Sequence, residues 1–245
     1  MRVSAAGREA RAELAPTGTL RVGINLANTL LVSGRTPAGE PVGVAPDMGR
    51  EVARQLGVPV AYVCFATPGE VADAVSADAW DIGLIAVEPA RAETIAFSPP
   101  YVEIEATYMV AQDSPLKVLG DVDRPGVRIG VMARSAYDLW LTRHLQHATI
   151  EREVSHAAAR QRLLDGEIEV LAGLRAWHLT DAKAMSGLRV LDGRFTAVQQ
   201  AIGTRPGNHT GVAFLADFVR EARTSGFVAR RIADHRIDGL LVPGA

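Results

Sequence analysis

The sequence predicts an α/β protein built from two similar units, each with a mainly parallel sheet flanked by helices. The first observation is a strand–helix–strand–helix–strand order that occurs twice along the 245-residue chain. The second is a pair of extended segments that link the two sets, one around Ala106–Ala111 and one at Thr196–Ile202. We expect a hinge at Tyr108–Asp113 and Thr196–Ile202, and a ligand bound in a cleft between the units.

The first set follows residues 1–17, which we expect to form a loose N-terminal lead-in. Leu20–Asn25 is a short apolar run typical of a strand. Asp47 precedes an apolar stripe at helical spacing and Gly57 follows it, which predicts a helix with Asp47 as its N-cap. The same reasoning predicts a strand at Val58–Phe65, a helix at Pro68–Ala79 and a strand at Asp81–Val87.

The second set repeats this order downstream. We predict strands at Val127–Met132, Thr149–Val154 and Ile168–Ala172, with helices at Ala136–His147 and His156–Asp165. Beyond it, Thr210–Thr224 has its apolar residues on one face and predicts a long helix. The chain would therefore form one discontinuous unit, residues 18–110 with 200–245, and a second unit at residues 111–199.

Composition narrows the class of partner. Lys and Arg number 26 against 28 Asp and Glu, a net charge of −2, so we expect no nucleic-acid partner. Cys64 is the single cysteine, which excludes an intramolecular disulfide and a cysteine metal cluster, and its apolar run predicts a buried thiol.

The first residues lack the apolar run of a signal peptide. We therefore expect a cytoplasmic protein as the sequence stands, and a periplasmic one if an export signal was removed or lies upstream.

Motifs for catalysis and cofactors are absent from the sequence. It contains no Gly-x-Ser-x-Gly, no Gly-x-Gly-x-x-Gly after the first strand and no phosphate-binding loop. His144 and His147 fall on one face of a predicted helix, but no acidic or thiol ligand stands at the spacing of a known metal site. We therefore expect no metal, no cofactor and no catalysed reaction.

Several segments resemble a known family. They are Leu20-Arg-Val-Gly-Ile, Gly43-Val-Ala-Pro-Asp47-Met, Trp80-Asp81-Ile-Gly-Leu and Arg91-Ala-Glu-Thr-Ile-Ala-Phe97-Ser98 with the nearby Pro100-Tyr101. From Leu20 on, the chain resembles the type II periplasmic binding proteins, in particular the family 3 bacterial solute-binding proteins of amino-acid ABC importers. The resemblance implies a two-lobed fold with a two-strand hinge, a small carboxylate ligand, ABC importer membrane subunits as partners and a monomeric chain.

The resemblance also implies a set of ligand-binding residues. Arg91 would hold the ligand carboxylate through both prongs of its guanidinium, a geometry that suits the planar fork of arginine. Ser135 and the backbone amides around Ala136 would share that carboxylate at a helix N-terminus. The remaining candidates would contact the ligand's other groups or lie beside Arg91 and Ser135: Asn25, Asn28, Phe65, Ala86, Arg134 and Arg175. Arg134 and Arg175 could instead be solvated surface cations.

Two departures from the family pattern bear on the ligand. The segment Ala86-Val87-Glu88-Pro89-Ala90-Arg91 lacks the Gly-x-Thr that the family usually has before its arginine. Gly173-Leu174-Arg175 stands where the family places an aspartate that receives the ligand's ammonium. A buried ammonium needs an anionic partner, so we expect a carboxylate ligand with little ammonium character, unless Glu88 or Asn25 substitutes.

Two other functions stay open at the level of sequence. Cyclohexadienyl dehydratases resemble these binding proteins, and an enzyme of that kind would need a general acid. Glu88 is the candidate, and its place before Pro89 predicts a solvated loop charge. The second alternative is a module that senses a ligand inside the cell, which the missing signal peptide favours.

Overall fold

The computed structural model describes residues 5–244, with side chains from residue 7 onward. Contacts divide this chain into two compact units. The first runs to Glu103 and resumes at Gln199, and the second is Ile104–Val198. The predicted boundaries, 110/111 and 199/200, fall in the same two linking strands, and the hinge stays a prediction.

The first unit opens with a helix and then alternates strands and helices. In chain order its elements are α1 (Ala5–Leu14), β1 (Leu20–Asn25), β2 (Gly34–Arg35), β3 (Pro41–Val42), α2 (Val44–Leu56), β4 (Val60–Phe65), α3 (Pro68–Asp73), β5 (Ile82–Ala86), α4 (Pro89–Ala92) and β6 (Ala96–Phe97). The strand β7 (Val102–Ala111) then leads into the second unit.

The second unit repeats the alternation. After a 3₁₀ turn at Leu119–Asp121 it contains β8 (Arg128–Met132), α5 (Ala136–His144), β9 (Thr149–Glu153), α6 (His156–Leu164), β10 (Val170–Leu174), α7 (Arg175–Ala184) and β11 (Leu188–Val190). The chain returns to the first unit through β12 (Thr196–Thr204), followed by α8 (His209–Thr224), α9 (Phe227–His235) and β13 (Leu240–Leu241). None of the helices in this described part of the chain is long and apolar enough to cross a membrane.

The first unit's sheet is mainly parallel, as predicted. β1 lies between β4 and β5 and is parallel to both, while β12 runs antiparallel to β5. Trp80 fills the core beneath this sheet together with Val71, Ile85 and Ile95. Its indole Nε1 donates a hydrogen bond to the Val71 carbonyl at 2.9 Å, so the one polar atom of this buried side chain is satisfied.

The second unit has the same plan. β8 lies between β9 and β10 and is parallel to both, and β7 runs antiparallel to β10 and to β11. Its core is an apolar cluster beneath the sheet, made of Met109, Ala159, Leu163, Ile168, Leu171 and Leu188. A parallel order of this kind brings the carboxyl ends of the central strands to one edge, where ligands commonly bind.

The N-terminal segment differs from the prediction. Residues 5–14 form α1 rather than a loose lead-in, and residues 1–4 lie outside the described residues. Ala10 and Leu14 are fully buried, and the Glu13 carboxylate accepts a hydrogen bond from the Gly211 amide of α8 at 2.6 Å. The prediction failed because charged residues interrupt the apolar positions of α1, whose narrow apolar face is buried only by tertiary packing against α8 and α2.

Three helix limits also differ from their predictions. α2 begins at Val44 with Gly43 as N-cap, so Asp47 lies in its first turn and accepts hydrogen bonds from Arg50 and His235 instead of capping it. α3 ends at Asp73 rather than Ala79, because residues 74–78 form turns, within which Asp78 adopts a left-handed φ of 51°. α5 ends at His144, three residues before the predicted end at His147, because Leu145 takes an extended conformation.

Two predictions about the sheets need correction as well. Cys64 was expected to be buried but is partly exposed, because β4 pairs only with β1 and forms the margin of the first unit's sheet. The third strand of the second unit runs to Leu174 instead of ending at Ala172, and Arg175 directly begins α7. That helix was not predicted, since its apolar residues are few.

Candidate functional site

The predicted site residues of the first unit lie along the carboxyl edge of its parallel strands. Asn25 and Phe65 are register partners at the ends of β1 and β4. Ala86 ends β5 and is paired with Gln200 of the neighbouring strand β12. The parallel sheet therefore brings Asn25, Phe65 and Ala86, which are distant in sequence, to one edge.

Arg91 lies directly beyond this edge, in the short helix α4. The residue is only 4% exposed, and one guanidinium nitrogen, Nη1, donates a hydrogen bond to the Ala86 carbonyl at 2.8 Å. That bond anchors one nitrogen of the guanidinium to the end of β5. A guanidinium held in this way, and largely removed from water, can bind a carboxylate strongly.

The two asparagines of the first unit use their side chains locally. The Asn25 Oδ1 accepts a hydrogen bond from the Ala27 amide at 3.1 Å, and the Asn28 Oδ1 accepts one from the Leu30 amide at 3.2 Å. Both bonds stabilise the turn after β1. Asn28 is buried and Asn25 is partly exposed. Their predicted contact with a ligand stays a prediction.

Glu88 does not match its predicted surroundings. The residue is 7% exposed and occupies the N-cap position of α4, so the interpretation as a solvated loop charge is wrong. Pro89 directly follows Glu88 as the first residue of the helix. A buried carboxyl group therefore lies three residues from Arg91.

In the second unit, Ser135 and Ala136 form the start of α5. Ser135 is the N-cap, and its Oγ accepts a hydrogen bond from the Asp138 amide at 3.1 Å, which confirms its predicted capping role. Arg134 adopts a left-handed φ of 58°, and its backbone amide donates to the Asp138 carboxylate at 2.7 Å. Arg152 pairs with the same buried carboxylate at 3.0 Å. The start of α5 therefore already contains one carboxylate, that of Asp138, which is paired with the Arg152 cation.

Arg175 has several partners within the second unit. Its Nη1 donates to the Gly193 carbonyl at 2.8 Å and to the Leu191 carbonyl at 3.3 Å, and its Nε lies 3.7 Å from the Glu105 carboxylate. Its side chain is 26% exposed. Arg175 is therefore a partly buried cation engaged by the protein rather than a freely solvated one.

The structure also brings together three residues that the sequence analysis did not single out. His156 starts α6, and His178 and Asp181 lie one turn apart on α7. The His156 Nε2 and Asp181 Oδ2 are 3.0 Å apart, and Arg160 pairs with the other oxygen of Asp181 at 2.5 Å. Burial favours the neutral form of Asp181, but its bonds to His156 and Arg160 outweigh that effect and lower its pKa. The sequence signal for this pair was the spacing His178-x-x-Asp181, which indicates a shared helix face only where a helix is predicted.

Comparison with known proteins identifies the family. The profile of the bacterial extracellular solute-binding proteins, family 3, matches residues 20–235. The chain belongs to this family. No curated protein sequence matches it. The predicted membership of the type II periplasmic binding proteins is thus confirmed.

Solved structures support the same fold at low sequence identity. A mutant of ArgBP from T. maritima is 21% identical, with a TM-score of 0.76 over 93% of this chain and 99% of that one. The ancestral amino acid-binding protein AncCDT-1, a precursor of cyclohexadienyl dehydratase, is 22% identical, with a TM-score of 0.74 over 91% and 97%. An amino acid ABC transporter substrate-binding protein from Streptococcus pneumoniae, bound to L-arginine, is 17% identical, with a TM-score of 0.74 over 92% and 97%. The predicted α/β fold class is confirmed.

Proposed function

We propose that this family 3 solute-binding protein captures a small carboxylate-bearing solute in the periplasm and delivers it to an ABC importer. The observation that carries the proposal is the placement of Arg91, a buried guanidinium oriented by the Ala86 carbonyl at the carboxyl edge of a parallel sheet. Carboxylates are natural partners of such a group. Ser135 and the first amides of α5 are the proposed second carboxylate contact, because a helix N-terminus favours an anion.

The proposed ligand has little ammonium character. Leu174 ends β10 and Arg175 follows it, at the place where the family has an ammonium-binding aspartate. The Arg175 cation lies there beside the Glu105 carboxylate. An ammonium next to this arginine would be repelled, whereas a second carboxylate or another acceptor would be attracted. Buried Glu88 is the proposed ammonium partner if an amino acid binds after all.

A ligand screen tests the proposed function. Purified protein is heated with each standard L-amino acid and with small mono- and dicarboxylates that lack an amine. A ligand present at about 100 times its dissociation constant should add about 2.7 kcal/mol of stability. We expect organic acids to stabilise the protein at least as well as amino acids. Micromolar binding of several amino acids, with none of the amine-free acids, would overturn the ligand class, and no stabilisation by any carboxylate would overturn the function.

Two capping serines provide a matched test of the second carboxylate contact. Ser135 caps α5 and Ser155 caps α6, each through a 3.1 Å bond from an amide three residues on. Ser135→Ala and Ser155→Ala should each lower the free energy of unfolding by about 1 kcal/mol, because each removes a helix cap. Only Ser135→Ala should also weaken calorimetric binding of the carboxylate found in the screen. Equal losses of affinity in the two variants would remove Ser135 from the site.

A second candidate function follows from the burial of Glu88. An enzyme on this fold would need a carboxyl group beside the bound carboxylate as its general acid. Glu88 starts the same helix that carries Arg91, so a bound carboxylate substrate would lie near it. Incubation with a cyclohexadienyl carboxylate, followed by ultraviolet absorbance, would detect an aromatic product. Product formed by the wild type and lost in Glu88→Gln would favour an enzyme over the proposed binding protein.

A further inference from the structure

The second unit contains a cluster of nitrogen and oxygen donors apart from the residues proposed to hold the carboxylate. His156, His178 and Asp181 each offer a ligand atom within 4.8 Å of the other two. His178 and Asp181 are one turn apart on α7 and so share a face of that helix, and His156 starts α6 opposite them. Two imidazoles and a carboxylate are a donor set that suits transition-metal ions.

Unused donor atoms point into this cluster. His178 is completely buried, and within the described residues neither of its ring nitrogens has a hydrogen-bond partner of ordinary geometry. The Nδ1 of His156 is also buried without a partner there. Buried polar atoms are normally hydrogen-bonded. The Thr107 backbone interacts with the His178 ring, and the other nitrogens named here lack a hydrogen bond of ordinary geometry within the described residues.

Gly173 shows where two of these nitrogens converge. A Cβ placed on Gly173 would lie 3.1 Å from the His178 Nε2 and 3.2 Å from the His156 Nδ1. Both nitrogens therefore lie against the same backbone position, where only a glycine leaves room for the two rings.

The surrounding groups prepare the two imidazoles as ligands. His178 is fully buried, and its ring centroid lies 5.4 Å from that of His156. Asp181 holds the Nε2 of His156 at 3.0 Å. A proton on that nitrogen leaves the lone pair on Nδ1, an arrangement found around many metal-bound histidines.

We propose that His156 and His178 bind a transition-metal ion such as Zn²⁺ through Nδ1 and Nε2, with Asp181 orienting His156. Arg160 neutralises the far oxygen of Asp181. The binding energy would therefore come mainly from the two imidazoles, a ligand type that binds Zn²⁺, Ni²⁺ and Cu²⁺ well and Mg²⁺ or Ca²⁺ poorly. The His156 side chain is 14% exposed, whereas its Nδ1 and both His178 nitrogens are buried.

The chain also carries a surface histidine pair that a metal experiment must control. His144 and His147 are exposed, and the His144 ring stacks on Trp140 with centroids 3.8 Å apart. The proposed site has its own fluorophore, since the His156 ring centroid lies 5.0 Å from that of Trp177. Metal bound at the two places would therefore quench different tryptophans.

The test titrates Zn²⁺ into the metal-free full chain by calorimetry, in the wild type, in His178→Phe, in His156→Gln and in the control pair His144→Gln/His147→Gln. Phenylalanine keeps a planar ring in the core, and His156→Gln serves if His178→Phe fails to fold. We expect one Zn²⁺ per chain, an affinity loss of at least about tenfold in each site variant, and little change in the control pair. Mg²⁺ should give no heat of binding at the same concentrations.

Copper quenching provides a second readout. In the control-pair background, Cu²⁺ should quench fluorescence in Trp140→Phe, where Trp177 remains, and much less in Trp177→Phe, where Trp140 remains. Zn²⁺ binding that survives in both site variants, or that disappears in the control pair, would overturn the proposal, as would the absence of any Zn²⁺ binding. None of these measurements uses a carboxylate ligand, so the outcome is independent of the proposed transport function.

Discussion

Replacing Gly43 by alanine is expected to destabilise the protein by about 3 kcal/mol or more. Gly43 is the N-cap of α2 and has φ 148° and ψ −177°, a conformation that is nearly exclusive to glycine. A Cβ there would lie 2.2 Å from the Leu31 carbonyl oxygen and 2.8 Å from the Val32 Cα. The same carbonyl accepts a hydrogen bond from the Ala45 amide at 3.1 Å, so its displacement would also remove a partner from the first turn of α2.

Two glycines of the same loop provide controls for Gly43→Ala. A Cβ added to Gly34 would have no neighbour within 4 Å, and Gly34 has no positive φ, so Gly34→Ala should change stability by less than about 0.5 kcal/mol. Gly39 has equally open surroundings but φ 85°, so Gly39→Ala isolates the backbone strain, about 1 kcal/mol. Urea unfolding of all three variants measures the series. If Gly43→Ala lowers the free energy of unfolding by no more than Gly39→Ala does, the loop rearranges to accommodate the added methyl group and the prediction is wrong.

Replacing Arg91 by alanine should abolish most of the ligand affinity. If the guanidinium pairs with the ligand carboxylate in its buried position, the loss is about 2 to 5 kcal/mol, or at least about 30-fold in affinity. The loss is large because the carboxylate would then be desolvated without its cation. Isothermal titration with the carboxylate identified by the screen measures it.

A second variant separates binding from folding at this position. Arg91→Lys keeps the charge but loses the planar fork, so it should bind more weakly than the wild type and more tightly than Arg91→Ala. Arg220→Ala removes an exposed cation whose partner is Asp217 on the same helix, and should leave affinity unchanged. Thermal unfolding without ligand confirms that each variant is folded. An affinity for Arg91→Ala within about threefold of the wild type would exclude Arg91 from the site.

Much of the fold could be predicted from local patterns. The strand at Leu20–Asn25 matches its prediction at both ends, and the helix at Thr210–Thr224 begins only one residue earlier in the structure. Strand and helix periodicities are properties of short segments and are visible in any one of them. Helix limits were less predictable, because Gly43 rather than Asp47 caps α2 and no side-chain bond marks the cap.

The candidate site was predictable only in part. Arg91 was identified through its flanking motif, and Ser135 through its position between a strand and a helix, and the structure confirms the capping bond of Ser135. The ligand contacts of both residues stay predictions. The burial of Glu88 was not predictable, since a charged residue before a proline is usually solvated and its exposure is set by tertiary packing.

The sequence by itself determined the repeated strand–helix–strand–helix–strand order, the family and the identity of the carboxylate-binding candidates, because each rests on short runs of neighbouring residues. The tertiary structure alone decided which distant side chains meet. It packs α1 against α8 through Leu14 and Gly211, and it brings His156 of α6 to His178 and Asp181 of α7. Such contacts depend on how helices pack on a shared sheet. That packing follows from the burial of the whole apolar surface of a unit rather than from any segment within it.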